Sequence, residues 1–587
     1  MALLIAVFFG ALYIVDLDQL RKGSIQKIAT WSGGQIRYSS AFNINYFPNF
    51  QNIRLIAEDV EVVKIRNLHG LKKIYAKQLA IDVNVWKLLF GLVEIDTLHL
   101  TTPNFILDED EFNNNTQQAH PLHLLTTQTL SQNLIDRLKI SNGTLQFVSG
   151  HKVSETLRHI HATWSFSNSK QKIKGYGEFV WRKEKTLYNY ISLPMKGGTE
   201  NTQNRRLSYS FSNPFIEAKF SGNTGFQPDV YLGGTANVTI SNMRALSKWL
   251  KHPLPHGRGL EIFSAKGTIN WRASRLTFVN SQISLDNNYA TGTVSVDYTS
   301  AKPKLEGTLA FNTLSLQPYV LLPNSSSSIK RPHGITFELQ KYFDADLRLS
   351  IREISLGGFK TRDNALTLSL TSEMLLIDVA QVGICNGLAS GQFKISHGNN
   401  QIPIVKINGS AQRIETHACH DTFFVNSPFH GKTAVDFNLQ AQIDLIKKTK
   451  TIDLLKAMDG KIFMAISEAG KLNVALPELF IGSSNAQTHS LNKATPFSSL
   501  KARMQISGGK NIMPKVIINT KNSTYIGSGV WHFLKNTIDY KITKQIPSIQ
   551  SASLVPQEQN DIALRVKGSW AQPNIQIWNS KTKQPIN

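Results

Sequence analysis

Between Val435 and Leu445 every odd position is apolar and every even position polar: Val435, Phe437, Leu439, Ala441, Ile443 and Leu445 alternate with Asp436, Asn438, Gln440, Gln442 and Asp444. A repeat of two is that of a β-strand with one greasy and one wet face, and a helix of the same sequence would scatter the apolar residues around its axis. Shorter runs of the same period recur at 269–271, 294–298, 347–351, 366–370 and 575–577. Between them stand Asn142-Gly143, Asn386-Gly387, Asn408-Gly409 and Asp459-Gly460, pairs suited to the positive φ of type I′ hairpin turns. Gly followed by a hydroxyl residue, at Gly143-Thr144, Gly234-Thr235, Gly267-Thr268, Gly292-Thr293, Gly307-Thr308 and Gly568-Ser569, is read as a recurring strand start. The spacing is irregular, which suits repetitive β architecture but not a propeller or regular solenoid. Helices are expected to be few: Met243 to Lys251 with Ser241 as N-cap, 452–458, 131–138, and a single turn at 85–89. The sequence therefore predicts a mainly β protein, antiparallel throughout.

At 587 residues, 41% hydrophobic and 18% charged, the chain is too apolar for a disordered polymer and too polar for a multi-span membrane protein. Its two cysteines exclude a disulfide scaffold and a four-thiolate metal centre. The net charge of +23 is diffuse, clustering only briefly at 182–185 and 447–450. No helix-turn-helix, RNA-recognition or zinc-finger pattern accompanies it, so nucleic acid is not an expected partner. Spread over the wet face of a sheet, such charge solvates the protein and would also favour an anionic lipid surface, by about 1 kcal/mol per well-placed Lys or Arg.

Residues Ala2 to Val15 are uncharged and almost wholly apolar, 14 residues where a spanning helix needs about 20. No basic residue precedes them and no A-x-A-like cleavage site follows, which argues against a secretory signal. We read 1–16 as a membrane anchor, with an ordinary buried helix as the alternative. Arg21, Lys22 and Lys27 follow it, and by the positive-inside rule would place the body in the cytoplasm. A start site upstream of Met1 would account for both the short span and the missing basic flank.

The usual entry points to chemistry are missing. The sequence has no H-E-x-x-H, no G-x-S-x-G and no G-x-G-x-x-G, and Gly431-Lys432-Thr433 has Asn426 where a P-loop needs its first Gly. No catalytic residue and no cofactor are expected, and the chain is read as a non-enzyme. His417, Cys419 and His420, with Cys385 and His430, hold enough nitrogen and sulfur for zinc, but their spacing matches no finger and a polar loop is expected. Cys385 and Cys419 could instead form one disulfide in an oxidising compartment. Asp108-Glu109-Asp110-Glu111 lacks the alternating ligands and glycine of a calcium loop and reads as a solvated acidic turn.

After the apolar N-terminus come Ser32-Gly33-Gly34-Gln35-Ile36, Phe47-Pro48 and Glu58-Asp59-Val60; then Ala76 to Ile95, containing Leu88-Leu89-Phe90-Gly91, leads to Leu98-His99-Leu100 and Pro103. This order resembles that of the AsmA family of Gram-negative bacteria. Lys302-Pro303-Lys304-Leu305-Glu306-Gly307-Thr308-Leu309 with Leu314-Ser315-Leu316-Gln317-Pro318-Tyr319 is similar to the family's middle element. Gly527-Ser528-Gly529-Val530-Trp531, Ile538-Asp539-Tyr540-Lys541-Ile542 and Val566 to Pro573 are similar to its C-terminal block. The resemblance implies an inner-membrane anchor, a periplasmic body and a long antiparallel sheet curled into a groove or gutter like that of chorein-type lipid transfer proteins. It also implies a role in outer-membrane biogenesis and phospholipid traffic, with phospholipid, the inner membrane and other envelope or outer-membrane assembly proteins as partners. A non-enzymatic scaffold that regulates outer-membrane protein assembly or targeting is the other function it allows. On this basis we divide the chain into the anchor at 1–16, an N-terminal chorein-like β-domain at 17–120, a middle β-domain at 121–323, a linker at 324–334 centred on Pro323 to Ser328 and Pro332-His333-Gly334, and a C-terminal β-domain at 335–587. A closed sandwich and an open groove both produce alternating strands, so Val435, Phe437, Leu439, Ala441, Ile443 and Leu445 are expected either to fill a core or to line a lipid groove.

Overall fold

The computed structural model describes residues 17–579 apart from 111–134, 196–203, 320–338, 420–428, 443–456, 481–493, 546–561 and several shorter stretches. Strands dominate, in a long and mostly antiparallel sheet with few helices. The chain divides into two compact units, Met1–Leu254 with Leu260–Ser281, and Pro255–Gly259 with Gln282–Asn587.

The first unit begins with a helix that the sequence reading did not anticipate, Leu17–Ser32. Leu20, Ser24 and Ile28 are buried at intervals of four and define its inner stripe. It ends at Gly33, whose φ of 63° is the left-handed cap conformation that glycine adopts without strain. Leu20 and Ile28 join one core with Ile53, Leu55, Ile81, Val83, Ile95 and Leu98 from the strands Asn52–Val63, Leu71–Asn84 and Ile95–Asp108. A meander then runs through Ile135–Ser149, Lys152–Ser167, Lys172–Trp181, Glu184–Pro194, Arg205–Ser212, Ile216–Gly225, Tyr231–Ile240 and Phe263–Arg272, each antiparallel to the next.

Among the described pairings, two are parallel. Ile95–Asp108 runs parallel to Ile135–Ser149, and in the second unit Lys304–Ser315 runs parallel to Asp344–Leu356. A parallel partner needs a long return connection, and both pairs are separated by long segments, one of which contains the expected linker at 324–334; that linker lies outside the described residues. The helix expected at 131–138 is replaced from Ile135 onward by strand. Its misleading spacing of three, Ile135 to Leu138, is matched by Ile95 to Leu98 on the strand opposite.

The remaining local expectations divide according to their physics. Asn142-Gly143 is no hairpin: Asn142 has φ 53° inside a continuous strand, and the register shifts on both sides of Gly143, which makes it a β-bulge. Asn408-Gly409 and Asp459-Gly460 also lie within strands, Pro403–Glu415 and Met458–Ile466. At Asn386 the turn is real but one residue earlier, because Cys385 and Asn386, with φ 46° and 61°, connect the paired residues Ile384 and Gly387. The helix Met243–Trp249 is capped by Asn242, whose side chain accepts the Ala245 N–H at 2.8 Å, while the expected cap Ser241 donates to the Pro214 carbonyl. The single turn at Val85–Leu88 forms as expected. Of the helix expected at 452–458, residues 452–456 lie outside the described residues and Met458 already begins a strand. The Gly-hydroxyl pairs at Gly234, Gly267, Gly292 and Gly307 fall in strand interiors rather than at strand starts.

The second unit continues through Asn288–Asp297, the parallel pair, Phe359–Leu370, Met374–Ile384, Gly387–His397, Pro403–Glu415, Lys432–Gln442, Met458–Ile466 and Ser499–Ser507 to Pro573–Asn579. Within it a three-stranded patch of Phe429–His430, Gly470–Leu472 and Thr495–Phe497 accompanies the short helix Leu476–Leu479. Thr495 locks that helix start, its hydroxyl accepting the Leu476 N–H at 2.8 Å and donating to the Val474 carbonyl. Leu476, Leu479 and Phe480 form a core with Ile466, Leu500, Ile518, Tyr525 and Leu564.

Candidate functional site

Register decides which residues share a face. In the strand Lys432–Gln442 the described even positions from Lys432 to Gln442, apart from Ala434, are exposed, while Val435, Phe437 and Leu439 are half-buried and Ala441 is buried. Ile443 and Leu445 lie outside the described residues. Leu439 pairs with Ile407 on one side and Gly460 on the other, and Ile407 continues the row to Phe393, Ile377, Leu368, Leu347, Gly307 and Val294. One step along the strands, Ala441 stands in the row Val405, Ile395, Leu375, Leu370, Ala345, Leu305 and Val296. Phe437 stands in a third row with Gly409, Gly391, Val379, Leu366, Leu349 and Leu309 on one side and Ile462 and Met504 on the other. Every member of these rows is apolar or glycine.

The burial of this face is uneven. Ala345, Leu370, Ile395, Val405 and Ala441 are buried, whereas Leu347, Leu349, Leu366, Leu368, Ile377, Val379, Phe393, Ile407, Phe437, Leu439 and Ile462 remain half-buried. Inward residues of a packed sandwich interdigitate with a second sheet about 10 Å away and lose nearly all contact with water. Here most of the face keeps some. Among the described residues, Leu476, Leu479 and Phe480 lie on it toward the C-terminal strands, and Ala457 packs against the buried Ile395, Val405 and Ala441.

The first unit has a comparable face, richer in aromatic rings. One row runs Leu55, Ile81, Leu98, Leu138, Trp164, Gly175, Tyr190, Tyr209, Phe220, Ala236 and Gly267. Its first three strands are covered by the helix Leu17–Ser32. Beyond them Trp164, Tyr209 and Phe220 are half-buried and Tyr190 is buried, with the rings of Trp164 and Tyr190 5.5 Å apart. Burial pushes the Tyr188 phenol up to about 12 and raises those of Tyr190 and Tyr209, so all three stay neutral on an apolar wall.

Glycine gives both faces room. A Cβ built on Gly175 would lie 2.6–2.7 Å from the Trp164 ring, one on Gly222 2.6 Å from Phe220, one on Gly409 2.8 Å from Phe437 and one on Gly529 2.7 Å from Tyr540. Each ring thus lies on the glycine of a neighbouring strand or position, an arrangement in which a large side chain shields backbone that has none of its own. Burial raises the pKa of Tyr540, and its hydroxyl has no hydrogen-bond partner among the described residues.

Of the acidic run, Asp108, Glu109 and Asp110 make structural contacts, while Glu111 and His420 and the side chains of His417 and Cys419 lie outside the described residues. Asp110 accepts from the Ser149 hydroxyl at 2.9 Å and the Gly150 N–H at 3.0 Å, Glu109 accepts from Ser154, and Asp108 pairs with Lys72. These carboxylates tie strand ends together instead of facing a common cation, and among the described residues no group of His, Cys, Asp and Glu could hold a metal ion. Cys385 is disulfide-bonded, and the sequence has one other cysteine, Cys419. No helix among the described residues is long and apolar enough to cross a membrane, and the anchor expected at 1–16 lies outside them. Comparison with protein-family models, curated proteins and solved structures found no match.

The aromatic row of the first unit was missed at the sequence level. Its signal was present in the period of two at Tyr188-Asn189-Tyr190 and Leu207-Ser208-Tyr209-Ser210-Phe211, but only register shows that these short runs share one face.

Proposed function

We propose that this chain is an AsmA-type protein of the Gram-negative envelope, held at the inner membrane with its body in the periplasm, that supports outer-membrane biogenesis by carrying phospholipid acyl chains on the apolar faces of its sheet. The observation that carries the reading is the half-buried state of rows such as Leu347, Leu368, Ile377, Phe393, Ile407 and Leu439. Leaving such a surface in water costs about 25 cal/mol per Å². An acyl chain laid along it removes that cost, gains about 0.8 kcal/mol per methylene buried, and requires no catalytic group. The disulfide at Cys385 suits an oxidising compartment.

The test is native mass spectrometry with lipid extraction on the full chain purified in detergent. Phospholipid is expected to accompany the wild type in near-stoichiometric amount. Phe437→Asp and Leu439→Asp, which put a carboxylate among these rows, should lose most of it, and Asp436→Asn on the wet face should retain it. Equal lipid in all three variants, each with an unchanged β-sheet circular dichroism spectrum, would refute the proposal and turn attention to client proteins captured by crosslinking.

A further inference from the structure

The segment that follows the strand Leu71–Asn84 exposes three large apolar side chains. Trp86 is 47% exposed, Phe90 83% and Leu92 61%. Single exposed apolar residues are ordinary on a protein surface, but here three large ones fall within seven positions. The exposure is built in. Val85 belongs to the core, Leu88 and Val93 pack against it, and the backbone between them is tied by Phe90 N–H to Lys87 O at 3.1 Å, Leu92 N–H to Lys87 O at 3.0 Å and Asn84 N–H to Glu94 O at 3.1 Å.

The place of this turn in the fold indicates what covers it. The Lys27 ammonium donates to the Val93 carbonyl, and Gly23 lies against the Val93 side chain, so the turn rests on the helix Leu17–Ser32. Gly23 is six residues from Leu17, about 9 Å along a helix axis. Just before Leu17 the sequence carries the uncharged apolar run from Ala2 to Val15. We propose that Trp86, Phe90 and Leu92 insert into the lipid–water interface beside the point where the N-terminal segment enters the bilayer. An indole settles at the headgroup level, and Phe and Leu settle at the acyl boundary. This rests on the anchor reading of residues 1–16 and extends it to a second, independent contact.

Charge contributes little to this contact. Lys87 is paired with Glu94, and Asp96 and Asp136 lie close enough to act on the Lys87 ammonium. Lys87 is thus offset by carboxylates and Lys27 is held on the Val93 carbonyl, so apolar area is the main drive for insertion. The contact should be insensitive to salt and to the fraction of anionic lipid, unlike one made by a basic patch.

The experiment uses the full chain in vesicles of phosphatidylethanolamine and phosphatidylglycerol, with an environment-sensitive fluorophore on Phe90→Cys and, as control, on Tyr289→Cys, a residue that is 64% exposed. Lipids carrying a nitroxide near the headgroup should quench the label at 90 severalfold more than the label at 289, equally in low and high salt. A chain that floats with the vesicles while its label at 90 is no better quenched than the control overturns the interfacial turn and leaves the anchor standing. A chain that does not float with vesicles at all overturns both.

Discussion

Replacing Glu155 by Gln should loosen the helix Met243–Trp249 from the first unit, and the effect should vanish in acid. Glu155 accepts from the Arg182 guanidinium at 2.5 Å and 3.2 Å, from Lys251 at 2.7 Å and from the Trp181 indole at 3.1 Å. Arg182 also donates to the Trp249 carbonyl at 2.7 Å, and the Trp249 indole donates to the Trp181 carbonyl, with the two rings 4.6 Å apart and steeply inclined. One carboxylate thus ties the hairpin at Arg182-Lys183 to the C-terminal end of the helix. Hydrogen bonding to the Arg182 guanidinium lowers the Glu155 pKa from 4.5 to about 2. That depression corresponds to about 3 kcal/mol. Because the side chain is still 23% exposed, water screens part of it, and about 2 kcal/mol is the expected local stabilisation. A lowered carboxylate pKa stabilises fully above the unfolded value of 4.5 and loses that contribution as pH falls toward about 2. In hydrogen exchange near neutral pH, the Leu246 and Leu250 amides should therefore lose about 30-fold protection in the variant, the equivalent of about 2 kcal/mol. The difference between variant and wild type should be roughly halved at pH ~3 and nearly closed at pH ~2. A difference that does not change with pH would show that Glu155 acts through packing rather than charge, and no difference at neutral pH would refute the account.

Two further substitutions test the packing of the first unit. Asp82, 7% exposed, takes a bidentate contact from Arg54 at 2.6 Å and 2.8 Å; Asp82→Ala removes this partner from a guanidinium whose side chain is 32% exposed and should cost about 1–3 kcal/mol in denaturant unfolding, whereas Arg54→Met with Asp82→Leu should recover most of that. Gly175→Val would force the Trp164 ring aside and should cost about 1–3 kcal/mol with a shift in tryptophan emission, whereas Gly233→Val, where a Cβ meets nothing within 4 Å, should change stability by less than about 0.5 kcal/mol.

What could be read from the sequence followed the range of the interactions involved. Alternation is written in side chains two apart, so the β character and the two faces of Lys432–Gln442 were legible. Turns were less so. Asn-Gly was expected to mark hairpins, yet Arg182-Lys183 and Asp286-Asn287, with φ of 48°, 72°, 49° and 70°, make the same positive-φ pairs without glycine, and Asn142-Gly143 makes a bulge. The left-handed conformation is a local preference; whether the strand turns back or continues there depends on what its neighbours offer for pairing. The helix Leu17–Ser32 was hidden because its buried stripe includes Ser24 and its other faces carry Arg21, Lys22, Gln26 and Lys27, so its helical signal comes mainly from packing on distant strands. The two parallel pairings depend on return paths through the chain and left no local trace.

In each unit, an apolar face that no second sheet covers among the described residues has to limit its own exposure, and the glycines show how. Where Trp164 lies on Gly175, Phe220 on Gly222, Phe437 on Gly409 and Tyr540 on Gly529, a ring from one position fills the space that a side chain at the other would have taken. Large and small residues therefore alternate across the face, and neighbouring strands can approach and bend locally toward it. The rings shield one another only partly, which agrees with half-burial at Trp164, Phe220, Phe437 and Tyr540. Filling the face completely would need either a second layer or larger residues at the glycines, and a Cβ at Gly222 or Gly391 already collides with the backbone of the next strand. Backbone geometry as well as side-chain choice thus keeps these glycine positions free of larger residues. On the proposed function, a long flexible hydrocarbon would find apolar contact with few directional groups on such rows. A carboxylate at Phe437 or Leu439 is then the decisive perturbation, because it leaves the glycine pattern in place and changes only the chemistry of the surface.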